Sequence, residues 1–411
     1  MNQVRIHVIL GVACMLLLLT QVPVMHGQVV NGTIFGTVRD SSGGVIAQAN
    51  VSAKSLETGA VRTAVSDTTG AYQILSVPAG DYEVEASVNG FKTAVRKGIS
   101  VTVGASVAVN FELAVGEVQQ KVEVQDTPPQ VDMTDASMGG LVSENAVREL
   151  PLNGRDWLQL ATLQAGVVGG VGQQSSAGFS NSRAARGNGE ALSISGSRPT
   201  GNVFMVDGLV VNDYANASPG SGLNVNLGVE AIREFRVLTN EYTAQFGRSS
   251  GGVVTAVYKS GTNQFHGGVF EFLRNSALDA RNFFDAQKPP FRRNQYGGSA
   301  GGPIKKNQTF IFGDYEELRE NKGLAHNSDT LSPNARNGII CVAQGSNPCA
   351  STTQINIDPR IKPYLAFFPI ANGPINGDSA KFLFAGTRLG HERYAIGRVD
   401  HNFTSATTLS G

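Results

Sequence analysis

Hydrophobic and polar residues alternate with period two through most of the chain, and the alternation falls into three parts. In the first, "DYEVEASVNG" sets Tyr82, Val84, Ala86 and Val88 on one face and Glu83, Glu85 and Ser87 on the other. "SVAVNFEL" repeats the pattern with Val107, Val109, Phe111 and Leu113. Successive side chains of a strand point to opposite faces, so these runs predict half-buried strands. Turn chemistry separates them: Asp-Ser-Ser-Gly at 40–43, Asp-Thr-Thr-Gly at 67–70 and Pro-Ala-Gly-Asp at 78–81. Roughly six to eight short strands up to Gly116 predict a β-sandwich, with Tyr72, Tyr82 and Phe91 in register with its core faces.

The second part breaks the period. Residues 117–138 are polar and proline-containing and read as a linker. Ser143 is placed to cap a short helix, "ENAVREL", which Pro151 ends, because the residue before proline is pushed out of the helical region. Asn153-Gly154 turns the chain. Asp156 caps a second helix whose apolar stripe is Trp157, Leu160, Ala161 and Leu163, and Gly166 stops it. Strands are expected at 202–213 and 251–263, with a helical segment over 229–247 between them. Residues 139–263 therefore predict a small α/β domain.

In the third part, 264–411, the alternation returns over longer runs. "FHGGVFEFLRN" sets Phe270 and Phe272 against Val269, Glu271 and Leu273. Residues 294–304 and 309–320 read as a strand pair joined by Lys305-Lys306-Asn307-Gln308, and 392–411 opens another strand. Strands of about 10 residues, with short turns on one side and longer loops on the other, are the signature of an outer-membrane barrel. Residues 321–360 would then form an outer loop.

Composition narrows the function. The 33 basic and 33 acidic side chains cancel, and only 16% of residues are charged. A nucleic-acid partner would need a basic surface to displace counterions, so none is expected. Arg5 and His7 precede the apolar run "VILGVACMLLLL", and "TQVPVMHGQ" follows, which predicts a secretory signal over 1–27. The run is shorter than the roughly 20 residues a spanning helix needs, and Cys14 lies inside it. Export places Cys341 and Cys349, which flank a Gly-Ser-Asn-Pro turn, in an oxidising compartment, and they are expected to pair as a disulfide.

Catalytic chemistry finds no support in the sequence. "GRSSG" at 247–251 matches the nucleophile-elbow spacing, but that elbow needs a strand before it and a helix after it, the reverse of what is expected here. The six histidines are scattered without ligand spacing. Asp207 and Asp213 read as turn residues. No catalytic residue, cofactor or metal is expected.

Two stretches carry family resemblances. "GTVRDSSGGVIAQANVSA" and "TTGAYQILSVPAGDYEVEASVNGF" are similar to the carboxypeptidase regulatory-like domain, a transthyretin- or immunoglobulin-like sandwich without peptidase activity, here 28–116. Its role is either contact with carbohydrate or that of a spacer. "LPLNGRDWLQL", "VDG" and the block 232–263 resemble the plug of TonB-dependent outer-membrane receptors, of the Oar-like group that carries such a sandwich. The motif residues are Leu150, Pro151, Leu152, Asn153, Gly154, Arg155, Asp207, Gly208, Gly251 and Gly252.

The resemblance implies a mainly β, multidomain chain: sandwich, α/β plug over 139–263, and the first strands of an incomplete transmembrane β-barrel. It implies a TonB-type periplasmic energy-transducing protein, outer-membrane lipid and an external ligand as partners. Lys121, Val122, Glu123 and Val124 have the alternation of a TonB box, and equally could continue the last sandwich strand. Family barrels have roughly 22 strands. Residues 264–411 supply about four to six at the strand lengths of such barrels, so a fragment of a longer receptor or a truncated product is expected. Energy-coupled uptake is the first functional expectation; a surface adhesion protein without transport is the second.

Overall fold

The computed structural model describes residues 31–116, 121–124, 138–152, 154–169, 191–213, 218–221, 223, 225–242, 246–247, 249–281, 288–342, 349–404 and 407–411. The expected signal 1–27, most of the linker and Asn153 lie outside them. The chain divides into two compact units. The first comprises Met1–Gly267, Ser299–Asp314 and Ile396–Gly411; the second comprises Gly268–Gly298 and Tyr315–Ala395.

The first unit begins with the sandwich. Its strands are β1 (Gly32–Asp40), β2 (Asn50–Ser55), β3 (Val61–Val65), β4 (Ala71–Val77), β5 (Gly80–Ser87), β6 (Thr93–Val101), β7 (Ser106–Ala108), β8 (Phe111–Leu113) and β9 (Lys121–Val124). One sheet has the order β4-β1-β7, with β8 also on β1, and the other has the order β3-β2-β5-β6-β9. The inner faces meet in one core, where Ile34, Val51, Val84, Ile99 and Leu113 are fully buried. Tyr72 and Tyr82 are buried there as well, and their hydroxyls donate to the carbonyls of Val109 and Pro78. Buried tyrosines need such a partner.

The turns at Asp40 and Asp67 work alike. Asp40 Oδ1 accepts from the Ser42 hydroxyl and from the Ser42 and Gly44 amides; Asp67 Oδ1 accepts from the Thr69 hydroxyl and from the Thr69 and Ala71 amides. The hydroxyl bonds first, then the amides, hold both carboxyls below their usual range.

The α/β domain follows in the same unit. It contains β10 (Met138–Val142), α1 (Glu144–Glu149), a 3-10 turn (Trp157–Leu163), β11 (Val167–Gly169), β12 (Leu192–Ile194), β13 (Val203–Val206), β14 (Leu209–Val210), β15 (Ile232–Asn240) and β16 (Val253–Tyr258). Its main sheet has the order β10-β15-β16-β13-β14, with β13 parallel to β16. Trp157, Leu158, Phe204, Phe235 and Val254 share the core on one face, and Val203, Met205, Leu238 and Val253 share a smaller cluster on the other.

Three expectations are corrected here. The helix expected over 229–247 is a 3-10 turn at Val229–Ala231 followed by β15. Apolar residues at 232, 235 and 238 mimic a helical stripe, but the strand is central and both of its faces are covered, so it need not alternate. The strand expected over 202–213 is a hairpin, β13 and β14, turned by Asp207 and Gly208 at φ +47° and +80°. The second helix is 3-10 rather than α: Leu158 is buried and Leu163 is 66% exposed.

Longer strands form the remaining sheet: β17 (His266–Asn275), β18 (Phe291–Lys305), β19 (Thr309–Leu331), β22 (Ile375–Asn376), β23 (Ser379–Asn402) and β24 (Thr408–Ser410), in the order β17-β18-β19-β23-β22 with β24 on β23. The sheet does not close among the described residues. The second unit also holds α2 (Pro333–Arg336) and the small pair β20 (Ile339–Cys341) and β21 (Thr352–Gln354). The loop expected from 321 starts later, because β19 runs on to Leu331.

Candidate functional site and its supports

The motif at 150–156 is a device for reversing direction inside a small core. Ser143 Oγ accepts from the Ala146 amide to open α1, and Leu150 closes it in an extended conformation before Pro151. Gly154 and Arg155 then take positive φ of 80° and 55°. This turn swings the Arg155 side chain inward, where it meets Glu230 Oε1 at 2.7 Å with both side chains largely buried. Asp156 follows, fully buried, and its Oδ1 accepts from the Leu158 amide at 3.0 Å. Trp157 is thereby set against Phe235 of β15, with ring centroids 5.0 Å apart. Leu152 packs against the same core, while Leu150 remains 39% exposed.

Gly251 and Gly252 serve close approach. A Cβ on Gly251 would collide with Ser197 Oγ and Asn202 Oδ1, and one on Gly252 with the Ile194 side chain. Asn202, fully buried, receives the Gly252 amide at 2.9 Å and donates to the Leu192 carbonyl at 2.7 Å. The glycines therefore let β12 reach the sheet. "GRSSG" is preceded by strand β15 rather than the expected helix, and it is followed by strand β16 where a nucleophile elbow needs a helix.

Asp207 does more than turn the chain. Its Oδ1 accepts from the Tyr258 amide at 3.2 Å, and its Oδ2 lies 2.7 Å from Arg398 Nη1. Arg398 also holds Asp400, Nε to Oδ2 at 2.9 Å. Burial raises the Asp207 carboxyl above its usual range, and the facing guanidinium of Arg398 opposes the rise.

The sandwich is tied to the α/β domain by polar contacts. Arg233 reaches Glu57 with two parallel bonds of 2.8 Å, a bidentate geometry. Glu234 Oε1 accepts from the Val103 amide at 2.6 Å, and burial pushes the Glu234 carboxyl up. The Asn263 amide donates to the Glu57 carbonyl at 2.9 Å, and Asn263 exchanges two 2.8 Å bonds with Asn307. Between them lies a cavity of about 480 Å³ lined in part by Glu57, Tyr82, Asn307, Arg398 and Asp400. Sequence reasoning missed Glu57, Arg233, Glu234 and Arg398, because partners 131–191 residues apart leave no local signal.

The stretch Lys121–Val124 is β9, paired in parallel with β6 from Thr93↔Lys121 to Arg96↔Val124, and it lies at the end of its sheet. Cys341 and Cys349 are joined, with Cα atoms 5.6 Å apart, and the Cys341 amide donates to Asp378 Oδ1 at 2.8 Å. These three residues form a metal-capable cluster among the described residues, but its two sulfurs are bonded to each other.

Comparison with known proteins agrees with this architecture. Residues 33–114 match the carboxypeptidase regulatory-like domain, and 257–411 match the outer membrane beta barrel domain. The chain is thus an outer-membrane β-barrel protein carrying an N-terminal regulatory-like sandwich. It is 30% identical over 297 residues to the TonB-dependent transporter Oar of Myxococcus xanthus, a match covering 69% of this chain and 26% of that protein. Over that stretch it resembles the Oar-like TonB-dependent outer-membrane receptors, and it spans about a quarter of the length of that curated relative. Among solved structures, a type II cohesin–X-dockerin complex from Acetivibrio cellulolyticus is 19% identical and covers 21% of this chain and 59% of that one, with a TM-score of 0.17. Catechol 1,2-dioxygenase from Acinetobacter radioresistens is 14% identical, covers 25% and 57%, and has a TM-score of 0.19.

Proposed function

We propose that the chain works in an energy-coupled outer-membrane receptor, which binds a scarce external ligand and admits it when a TonB-type periplasmic protein acts on the plug. The likeness to the TonB-dependent transporter Oar over 297 residues carries this reading. The plug is held by discrete polar contacts such as Asp207–Arg398, which can break and re-form, and this suits a domain that has to move. The handle for the partner is Lys121–Val124, an edge strand able to pair with an incoming strand. No catalytic step is assigned. Contact with carbohydrate by the sandwich is a second part of the proposal, tested by glycan-array binding of residues 28–116.

The coupling is tested by placing a photo-crosslinker in turn at 121, 122, 123 and 124 in the full chain, in Gram-negative cells that express the TonB-type protein. A crosslink to that protein from at least one position is expected. Crosslinking from elsewhere in 117–138 would move the handle. None from any position would favour the adhesion reading.

A further inference from the structure

The outward face of the long strands carries a charge cluster where lipid contact ends. On β19, Asp314, Glu316, Leu318 and Glu320 are buried, whereas Ile311 and Tyr315 on the alternate face are 45% and 42% exposed. Polar-in and apolar-out alternation is that of a barrel strand, so 311, 313, 315, 317 and 319 share the face turned to lipid. From the short turn before Thr309, ten residues of tilted strand rise roughly 25 Å, about the height of the apolar band. That distance brings the chain to Arg319, on the side of the longer connections.

The groups meeting there are unusual for a lipid-facing surface. Glu317, whose side chain is only 5% exposed, accepts from Tyr315 OH at 2.7 Å and from Arg319 Nε at 2.6 Å. His391 Nε2 lies 2.7 Å from the same carboxylate and Arg393 Nε lies 3.6 Å from it. Arg319, Arg393 and His391 are 57%, 62% and 46% exposed. The Arg319 guanidinium also lies 5.8 Å from the centre of the Tyr296 ring. One carboxylate thus faces two guanidinium groups and an imidazole, leaving the cluster with net positive charge. Two tyrosines border it, and on β17 the exposed Val269 and Leu273 lie on one face on either side of the exposed Glu271.

We propose that Arg319, Arg393 and His391, with Tyr296 and Tyr315 below them, bind the phosphorylated headgroup of an outer-leaflet glycolipid. Guanidinium groups match phosphate oxygens in a bidentate fork. Glu317 orients the cations through short bonds and leaves their outer edges exposed. The acyl chains would lie along the apolar face, which a free anion would not use.

The test uses the full chain extracted from outer membrane into mild detergent, with native mass spectrometry of bound lipid. A phosphorylated glycolipid is offered beside its dephosphorylated form. The unaltered chain should retain the phosphorylated form about tenfold better, a difference near 1.4 kcal/mol. The double change Arg319→Gln and Arg393→Gln should abolish the preference, whereas Arg360→Gln, an exposed arginine elsewhere, should not. If the double variant fails to extract, Arg393→Gln alone removes the cation furthest from Glu317 and should still lower retention severalfold. Unchanged preference in an extracted Arg319/Arg393 variant overturns the proposal. Complete displacement by millimolar inorganic phosphate would show a site for free anion and would overturn the lipid assignment.

Discussion

The sandwich and the long-stranded sheet share one periodicity and use it in opposite ways. In β5, Tyr82, Val84 and Ala86 turn inward and Glu83 and Glu85 turn out. In β19, Asp314, Glu316 and Glu320 are buried on the same face as Phe310, Phe312 and Leu318. On the other face Ile311 and Tyr315 are exposed and Glu317 is covered by its cation partners. A period of two says only that the two faces of a strand differ; the surroundings decide which residue type faces which way. The sandwich was selected for water around an apolar core, and the long strands for lipid around a polar interior. Glu320 illustrates the second case: its carboxylate takes Arg388 Nη2 at 2.6 Å and Arg293 Nη2 at 2.5 Å, an arrangement a water-surrounded sandwich core would not hold.

The same chemistry should therefore do opposite harm in the two regions. Val84→Asp places a charge in a fully buried apolar site. Its cost, more than about 4 kcal/mol, consumes most of the stability of a small domain. Residues 28–116 carrying it should lack a cooperative melt by circular dichroism; a native-like melt would break the account of the core. Glu320→Ala strips the shared partner from two arginines, at a cost of about 3–5 kcal/mol felt locally. Hydrogen exchange on the extracted full chain should speed up around 293, 320 and 388, while Glu320→Gln should do less. Equal, negligible effects would mean that the cluster holds nothing together.

Smaller effects sharpen the comparison. Cys341→Ser opens a loop with eight residues of separation, which the chain-entropy argument values at about 2–3 kcal/mol. Peptide mapping without reductant should show the pair linked in the exported chain, and protease should cut 332–378 faster in the variant. The sandwich should also lose stability at high pH. Burial pushes the Tyr82 hydroxyl up to about 12 and that of Tyr72 higher still. Their contribution is intact below the unfolded value near 10 and is lost as pH climbs from there through the folded values, by up to about 1.4 kcal/mol per pH unit per tyrosine. The melting temperature of residues 28–116 should fall between pH 9 and 11 by several degrees, as such a loss implies for a domain of this size, and by less in Tyr82→Phe. No fall would show that these hydroxyls ionise freely.

What the sequence disclosed follows from what is local. The sandwich faces, the Ser143 and Asp156 caps, and the turn at 305–308 are set by neighbours within a few residues. β15 was hidden because a central strand covered on both faces loses the alternation that identifies strands. The Asp207–Gly208 hairpin carries the Asp-Gly signal of a tight turn, and Asp207 reads as a turn residue, but the apolar residues on both sides read as one strand over 202–213. Glu57–Arg233 and Asp207–Arg398 join residues brought together only by the fold. The stretch 121–124 was legible as a strand with two readings; the structure pairs it with β6, and crosslinking decides whether it also serves a partner.

The orientation of β19 in the membrane can be measured directly. Single cysteines at positions 310–320 of the full chain, spin-labelled in outer membranes, report access to lipid-soluble oxygen and to a water-soluble nickel chelate. Oxygen access should peak at 311, 313 and 315 and fall at 310, 312, 314 and 316, and chelate access on the outward face should rise at 317 and 319. Uniform chelate access along the strand, or an oxygen pattern shifted by one residue, would contradict the assignment of this sheet to the outer-membrane barrel.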